Sequence, residues 1–193
     1  FQANLVPNGK GLVPGCGRAY AVAALAQDGR HVTGLDIAET AISKAQELLD
    51  ELSTDPATYD LVLGSFFDTS ASFDFAYDYT FLCALPPALR ENWAKTYARI
   101  IKPGGVLVTV VFPIDFQPSR PPGSGPPFDM TVKLVTSLLK PHNFRAVFKK
   151  QLGEGEAHKG RHGGTGAIAS TTLVVWKHET SETSTSSDSS NPA

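Results

Sequence analysis

The residues of this chain best placed to do chemistry lie in Leu12-Val13-Pro14-Gly15-Cys16-Gly17-Arg18-Ala19-Tyr20 and at Asp36. An apolar run stops at a two-glycine turn and restarts with helix-forming residues. Glycines let backbone amides approach a ligand closely, and a helix start behind them adds partial positive charge. Asp36 follows Gly17 by 19 residues, at the end of a second apolar run, Val32-Thr33-Gly34-Leu35. That spacing suits a carboxylate that accepts hydrogen bonds from both ribose hydroxyls of a nucleoside cofactor.

These residues can meet only if the intervening elements bring them together, and the pattern around them predicts such elements. A helix is expected over Ala19–Gln27, stopped at Gly29, and another over Glu39–Leu52 with Ile42, Ala45, Leu49 and Leu52 on one face. Strands are expected over Asp60–Gly64 and Phe75–Tyr79. Pro86-Pro87 opens a helix whose face carries Leu89, Trp93, Tyr97, Ile100 and Ile101, with Trp93 and Tyr97 as core residues. Lys102-Pro103-Gly104-Gly105 reads as a tight turn. Val106–Phe112 then reads as a strand buried on both faces. A Pro/Gly/Ser-rich loop over Pro113–Pro127 precedes a helix at Val132–Leu139 and strands at Ala146–Leu152 and Thr171–Trp176. Alternation of this kind specifies an α/β, doubly wound sheet with helices on both faces and right-handed crossovers. Ligands bind such sheets beyond the carboxyl ends of the strands, where the glycine turn, Asp36, Gly64-Ser65-Phe66 and Tyr77-Asp78-Tyr79 all lie.

Length, composition and charge narrow the function. At 193 residues with 41% hydrophobic and 19% charged content, the chain is expected to form one globular domain over residues 1–178. The Ser/Thr-rich segment 179–193 reads as a disordered tail. A net charge of −2 gives no reason to expect nucleic acid or an anionic membrane as partner. No apolar run is long enough to span a bilayer, and no secretory signal is visible. Cys16 and Cys83 have unrelated contexts, which points away from a disulfide and toward a reducing, cytoplasmic home; Cys83 reads as a buried apolar residue. The five histidines lack metal-ligand spacing, so no metal is expected.

Two cofactor classes fit a glycine turn with a ribose-binding acid: a nicotinamide dinucleotide and S-adenosylmethionine. The dinucleotide fingerprint requires a third glycine where this chain has Tyr20. A methyl donor needs only room for its amino-acid tail, a carboxylate for ribose and an apolar slot for adenine. Phe66 and Phe67 can supply that slot, although alternation assigns one of them to the core. The residues favour the methyl donor, with a nicotinamide-dependent oxidoreductase as the lesser alternative.

The segments VPGCGRAY, GLDI, GSFFD, FAYDYTFLCALPP, IKPGG and FP…GPPF resemble, in order and spacing, the thiopurine/thiol S-methyltransferase family, and within it the thiol, thiocyanate and halide branch. The resemblance covers roughly residues 10–177. It implies a class I methyltransferase sheet of order 3-2-1-4-5-7-6 with the last strand antiparallel. It also implies a small thiol, thiocyanate, halide or thiopurine-like acceptor; transfer from a sulfonium is expected to be an in-line displacement, and the chain is expected to be a monomer. Pro14, Gly15, Cys16 and Gly17 would then surround the amino-acid end of S-adenosylmethionine, Asp36 and Ile37 the ribose, and Ser65 and Phe66 the adenine. Asp78 and Tyr79 fall near the methionine moiety and are the expected catalytic pair, while Phe112, Pro113, Phe128 and Arg161 face the acceptor. Arg161 lies in a basic loop whose residue types alone read as solvated. Three departures accompany the resemblance. Ser65 stands where the family has Asp; the family's GRGYD becomes Arg18-Ala19-Tyr20-Ala21; and the family's N-terminal lid segment is mostly absent. These departures motivate a competing expectation, a module that binds the cofactor without turnover.

Overall fold

The computed structural model describes residues 5–112, 124–153, 156 and 171–180. Among these, seven strands form one sheet: β1 (Gly9–Pro14), β2 (Arg30–Asp36), β3 (Tyr59–Leu63), β4 (Phe73–Tyr79), β5 (Ile101–Val111), β6 (Phe144–Gln151) and β7 (Thr172–His178). Their order is β3-β2-β1-β4-β5-β7-β6, as the resemblance implies. The β1–β2, β2–β3, β1–β4 and β4–β5 pairs are parallel, and β7 runs antiparallel to both β5 and β6. Four helices flank the sheet: α1 (Tyr20–Leu25), α2 (Glu39–Glu51), α3 (Arg90–Ile100) and α4 (Val132–Leu139).

The sheet is buried from two sides. One core joins Leu12, Ala76, Leu107 and Trp176 to Trp93, Tyr97 and Ile100 of α3 and Val135 and Leu139 of α4. The other joins Val13, Phe75, Val108 and Val175 to Val22 and Leu25 of α1 and Ala45 and Leu49 of α2. Leu107 and Val108 point to opposite cores and both are fully buried, as a continuous apolar strand requires.

Several expected boundaries shift, each for a physical reason. The chain turns into an extended residue at Pro86 and a 3-10 turn at Pro87–Leu89, so α3 begins only at Arg90. A residue that precedes proline is driven out of helical geometry, which accounts for the delay. Lys102-Pro103-Gly104-Gly105 does not end a helix in a tight turn. It lies inside β5, where Ile101 pairs with Phe73, the register slips, and Val106 pairs with Phe75. The extra residues loop out and Lys102 Nζ reaches Asp74 Oδ1 at 2.7 Å. In α2 the helix stops at Glu51, so Leu52 is exposed and Leu48 joins Ala45 and Leu49 in the buried stripe. Glu179, expected in the tail, is bonded through its N–H to Asn143 O at 2.8 Å. The remainder of the tail, residues 181–193, lies outside the described residues.

The outer strand β3 is tied to β2 by His31, whose Nε2 lies 2.7 Å from Asp60 Oδ2 and Nδ1 3.0 Å from Ala57 O. Both partners are acceptors, so the imidazolium satisfies them best. The hydrogen bond to Asp60 raises the His31 pKa above its ordinary value near 6.5. A raised folded-state pKa contributes stability that is complete below the unfolded value and is lost as pH rises through the folded one. The pair is partly exposed, so its contribution stays under about 1 kcal/mol. Thermal melts of wild type and Asp60→Ala are therefore expected to differ most near pH 5.5 and to converge by pH 8. A difference that holds constant across this range contradicts the assignment.

Candidate functional site

Four backbone segments converge beyond the carboxyl ends of β1, β2, β3 and β4. β1 ends at Pro14 and the chain turns through Gly15 (φ +57°) and Gly17 (φ +54°) into α1. Both glycines need left-handed backbone, but their surroundings differ. A Cβ on Gly17 would meet nothing within 4 Å, whereas one on Gly15 would lie 2.7 Å from the Phe81 ring. The turn therefore has one open side and one side covered by an aromatic ring. Ala19, where the family pattern has glycine, also adopts left-handed geometry (φ +63°) with its methyl fully buried. Such a conformation strains an alanine by about 1–2 kcal/mol. The helix behind the turn has only six residues, so its dipole is much weaker than the sequence pattern leads one to expect.

Asp36 closes the floor of the site. Its Oδ2 accepts the Gly17 N–H at 3.0 Å and its Oδ1 accepts the Ala38 N–H at 3.0 Å. The strand end is fixed further, because Leu35 O accepts from Cys16 N and Asp36 O from Gly64 N. Each carboxylate oxygen has a second acceptor position, and the side chain is only half-buried, so further donors can reach it. Beside it, Ile37 is 78% exposed, an apolar surface facing solvent at the cleft mouth.

After β3 the chain forms a 3-10 turn at Phe66–Asp68, capped by Ser65 Oγ, which accepts the Phe67 N–H at 3.2 Å. Phe66 is buried and Phe67 half-buried, so one of the pair is core, as alternation predicts, but the cause is a tight turn and not a strand. The Phe66 ring meets Phe67, Phe81 and Tyr97 with centroids 5.4, 5.1 and 4.9 Å apart. Gly15, Asp36, Ile37, Ser65 and Phe66 line one cleft of about 140 Å³. The structure thus brings together five of the expected cofactor residues, with Pro14, Cys16 and Gly17 in the adjoining turn. Leu35, Gly64, Phe67, Phe81 and Leu85 also line it. Phe81 and Leu85 fall outside the expected set because nothing local in sequence shows that Phe81 folds back over Gly15.

Asp78 departs most from expectation. It is 4% exposed and points into the core, where Oδ2 accepts from Trp93 Nε1 at 2.7 Å and Tyr97 OH at 3.0 Å and Oδ1 from Leu82 N at 3.1 Å. Burial raises its pKa despite these donors, and burial beside Asp78 raises that of Tyr97. Asp78 does not line the cleft, and its oxygens are engaged by core donors, the geometry of a residue that positions α3. Tyr79 is half-buried at the end of β4 and also lies outside the cleft lining. Cys16, by contrast, adjoins the cleft, and burial together with the Asp36 charge pushes its thiol up to about 12.

Of the expected acceptor residues, Phe112 follows β5 and borders a separate cavity of about 10 Å³ shared with Asp78, Thr109 and Met130. Phe128 packs its ring against Gly125 and donates its N–H to Cys83 O at 2.6 Å, which draws residues 124–131 across the end of β4. Arg90 Nη2 holds the same segment through Asp129 O at 2.9 Å. Pro113 and Arg161 lie outside the described residues. Among the described residues no cluster could hold a metal ion, and no helix is long and apolar enough to cross a membrane.

The unequal surroundings of the two glycines can be measured. Gly17→Ala is expected to cost about 1–2 kcal/mol from backbone geometry alone. Gly15→Ala should cost about 1–3 kcal/mol more, because its methyl must displace the Phe81 ring. Urea unfolding of both variants, repeated in a Phe81→Ala background, checks this. The excess at Gly15 should vanish without the ring, and equal losses in the wild-type background would contradict the contact.

The family profile described as "Thiopurine S-methyltransferase (TPMT)" matches residues 1–177. The Arabidopsis thaliana protein named "Probable thiol methyltransferase 2" is 40% identical over 149 residues, covering 76% of this chain and 63% of its own length. Thiocyanate methyltransferase 1 of Brassica oleracea is 37% identical over 148 residues, with the same two coverages. The chain thus spans just under two thirds of the length of these plant relatives. Among solved structures, a SAM-dependent methyltransferase of Methanosarcina mazei superposes with a TM-score of 0.68 at 22% identity, covering 91% of this chain and 95% of its own. The N-methyltransferase NodS of Bradyrhizobium japonicum, solved with S-adenosyl-L-homocysteine, gives 0.65 at 15% identity over 88% and 78%. These likenesses carry the class I methyltransferase fold, and the profile match shows that the chain belongs to the thiopurine S-methyltransferase family.

Proposed function

We propose that this chain binds S-adenosylmethionine in the cleft between the glycine turn and the Phe66–Asp68 turn, and methylates a small thiol, thiocyanate, halide or thiopurine-like acceptor. The observation that carries the reading is the Asp36 carboxylate, held at the cleft floor by two backbone N–H groups with acceptor positions to spare. Those positions suit a ribose diol. The open side of Gly17 suits an amino-acid tail, and Ile37, Ser65 and Phe66 suit a purine. Three separate features of the cleft thus support the reading.

When bound, S-adenosylmethionine supplies an electrophilic methyl group on a sulfonium. The chain's own contribution is to orient and to exclude. Phe66, Phe67, Phe81 and Leu85 give the cleft an apolar wall that keeps water away from the reacting atoms. Holding donor and acceptor in line then supplies most of the acceleration. A thiolate or thiocyanate acceptor arrives as a good nucleophile and needs no dedicated base. Cys16 lies in the adjoining turn, where burial and the Asp36 charge push its thiol up to about 12 and so disfavour the thiolate. On this reading the acceptor approaches past Phe112 and Phe128, the residues that the family resemblance assigns to it.

The plant relatives named as thiol and thiocyanate methyltransferases support this acceptor class. Incubation with methyl-labelled S-adenosylmethionine and a panel of thiols, thiocyanate, iodide and thiopurines provides the test. Labelled methyl product is expected with at least one sulfur or halide acceptor. If S-adenosylhomocysteine binds but no acceptor is labelled, the chain is a binding module and the transferase reading fails. If NADH binds in its place, the cofactor reading fails as well.

A further inference from the structure

We infer that Arg99, in the last turn of α3, is a positioning residue that sets how tightly the site grips the purine of its cofactor. The inference rests on the cofactor reading above and concerns a side chain that does not itself line the cleft.

The geometry is a clamp on the backbone. From the last turn of α3 the Arg99 guanidinium donates through Nη1 to Thr69 O and through Nη2 to Phe67 O, the latter at 3.0 Å. These carbonyls lie in and just after the Phe66–Asp68 turn, whose Ser65 and Phe66 form one wall of the cleft. Two residues earlier on the same helix, the Tyr97 ring packs on Phe66 at 4.9 Å from the opposite, buried side. Helix α3 therefore holds this turn twice, by a ring from within the core and by a fork from the solvent side. The turn's own bonds are short-range: Ser65 Oγ from Phe67 N, and Thr69 N to Phe66 O. Nothing in them fixes where the turn sits relative to the sheet. The guanidinium is suited to that task because its planar, rigid fork reaches two acceptors at once, which an ammonium does not.

An arginine in the last turn of a helix also complements the helix dipole, and that role alone would leave ligand selectivity untouched. The two roles separate experimentally. S-adenosylhomocysteine carries the purine, whereas S-ribosylhomocysteine carries the same ribose and amino-acid tail without it. Calorimetric titration of both ligands into wild type, Arg99→Ala and Arg99→Lys forms the experiment, with thermal melts in parallel. Arg99→Ala is expected to weaken S-adenosylhomocysteine about tenfold while leaving S-ribosylhomocysteine unchanged. Arg99→Lys keeps the charge, and with it the helix-end stabilisation, but should lose most of the purine discrimination. Equal loss for both ligands, no loss for either, or wild-type discrimination in Arg99→Lys would each overturn the clamp. Should Arg99→Ala fail to fold, Arg99→Lys alone decides between these outcomes. Failure of the wild type to bind either ligand would instead strike down the cofactor reading on which the clamp rests.

Discussion

A carboxylate enclosed at the end of the central strand must be satisfied by donors, and at Asp78 that requirement organises one whole side of the molecule. Deprived of water, the group would be very costly alone, so the surrounding chain supplies an indole N–H, a phenol and a backbone amide. Two of these donors, Trp93 and Tyr97, fix the rotation of α3 about its axis. With α3 fixed, Tyr97 meets Phe66, Phe66 meets Phe81, and Phe81 covers Gly15. A continuous run of contacts thus leads from the buried acid to the glycine turn, and the shape of the cleft follows from it.

Two carboxylates at strand ends take opposite environments. Asp78 faces inward and spends its oxygens on the fold, while Asp36 faces the cleft and spends only part of its capacity on the Gly17 and Ala38 amides. The first serves the fold beside the cleft, and the second, in the cleft lining, keeps acceptor positions for the proposed ribose. On the proposed reading, this division lets the cleft hold a nucleoside with no titratable pair among its described lining residues arranged for proton transfer. Such a pair is dispensable when the attacking group is already an anion. At Cys16, beside the cleft, burial and the Asp36 charge raise the thiol's pKa and so disfavour the thiolate.

Much of this was legible in the chain. The glycine turn, the spacing to Asp36 and the alternation of elements locate the cleft, and α4 spans the residues its pattern predicts. The sheet order came through the resemblance of several segments, not through periodicity. What was not legible depends on contacts between distant residues. The direction of Asp78 could have been read from strand alternation, since it shares a face with buried Ala76, but its motif drew it toward the ligand instead. No local signal places Phe81 on Gly15 or Arg99 on the Phe67 carbonyl. The bulge at Lys102–Gly105 likewise depends on Asp74, nearly thirty residues earlier. Ala19 shows the converse case, where a departure from the family pattern in sequence proves to sit at a left-handed backbone position that favours glycine.

The central claim is that Asp36 binds the ribose of a nucleoside methyl donor. Calorimetric titration of S-adenosylhomocysteine into wild type and Asp36→Ala tests it most directly, with unfolding curves to confirm that the variant remains folded. Saturable binding to wild type is expected, with a loss of about 1–3 kcal/mol in the variant for the ribose hydrogen bonds removed. Unchanged affinity in a folded Asp36→Ala would contradict it.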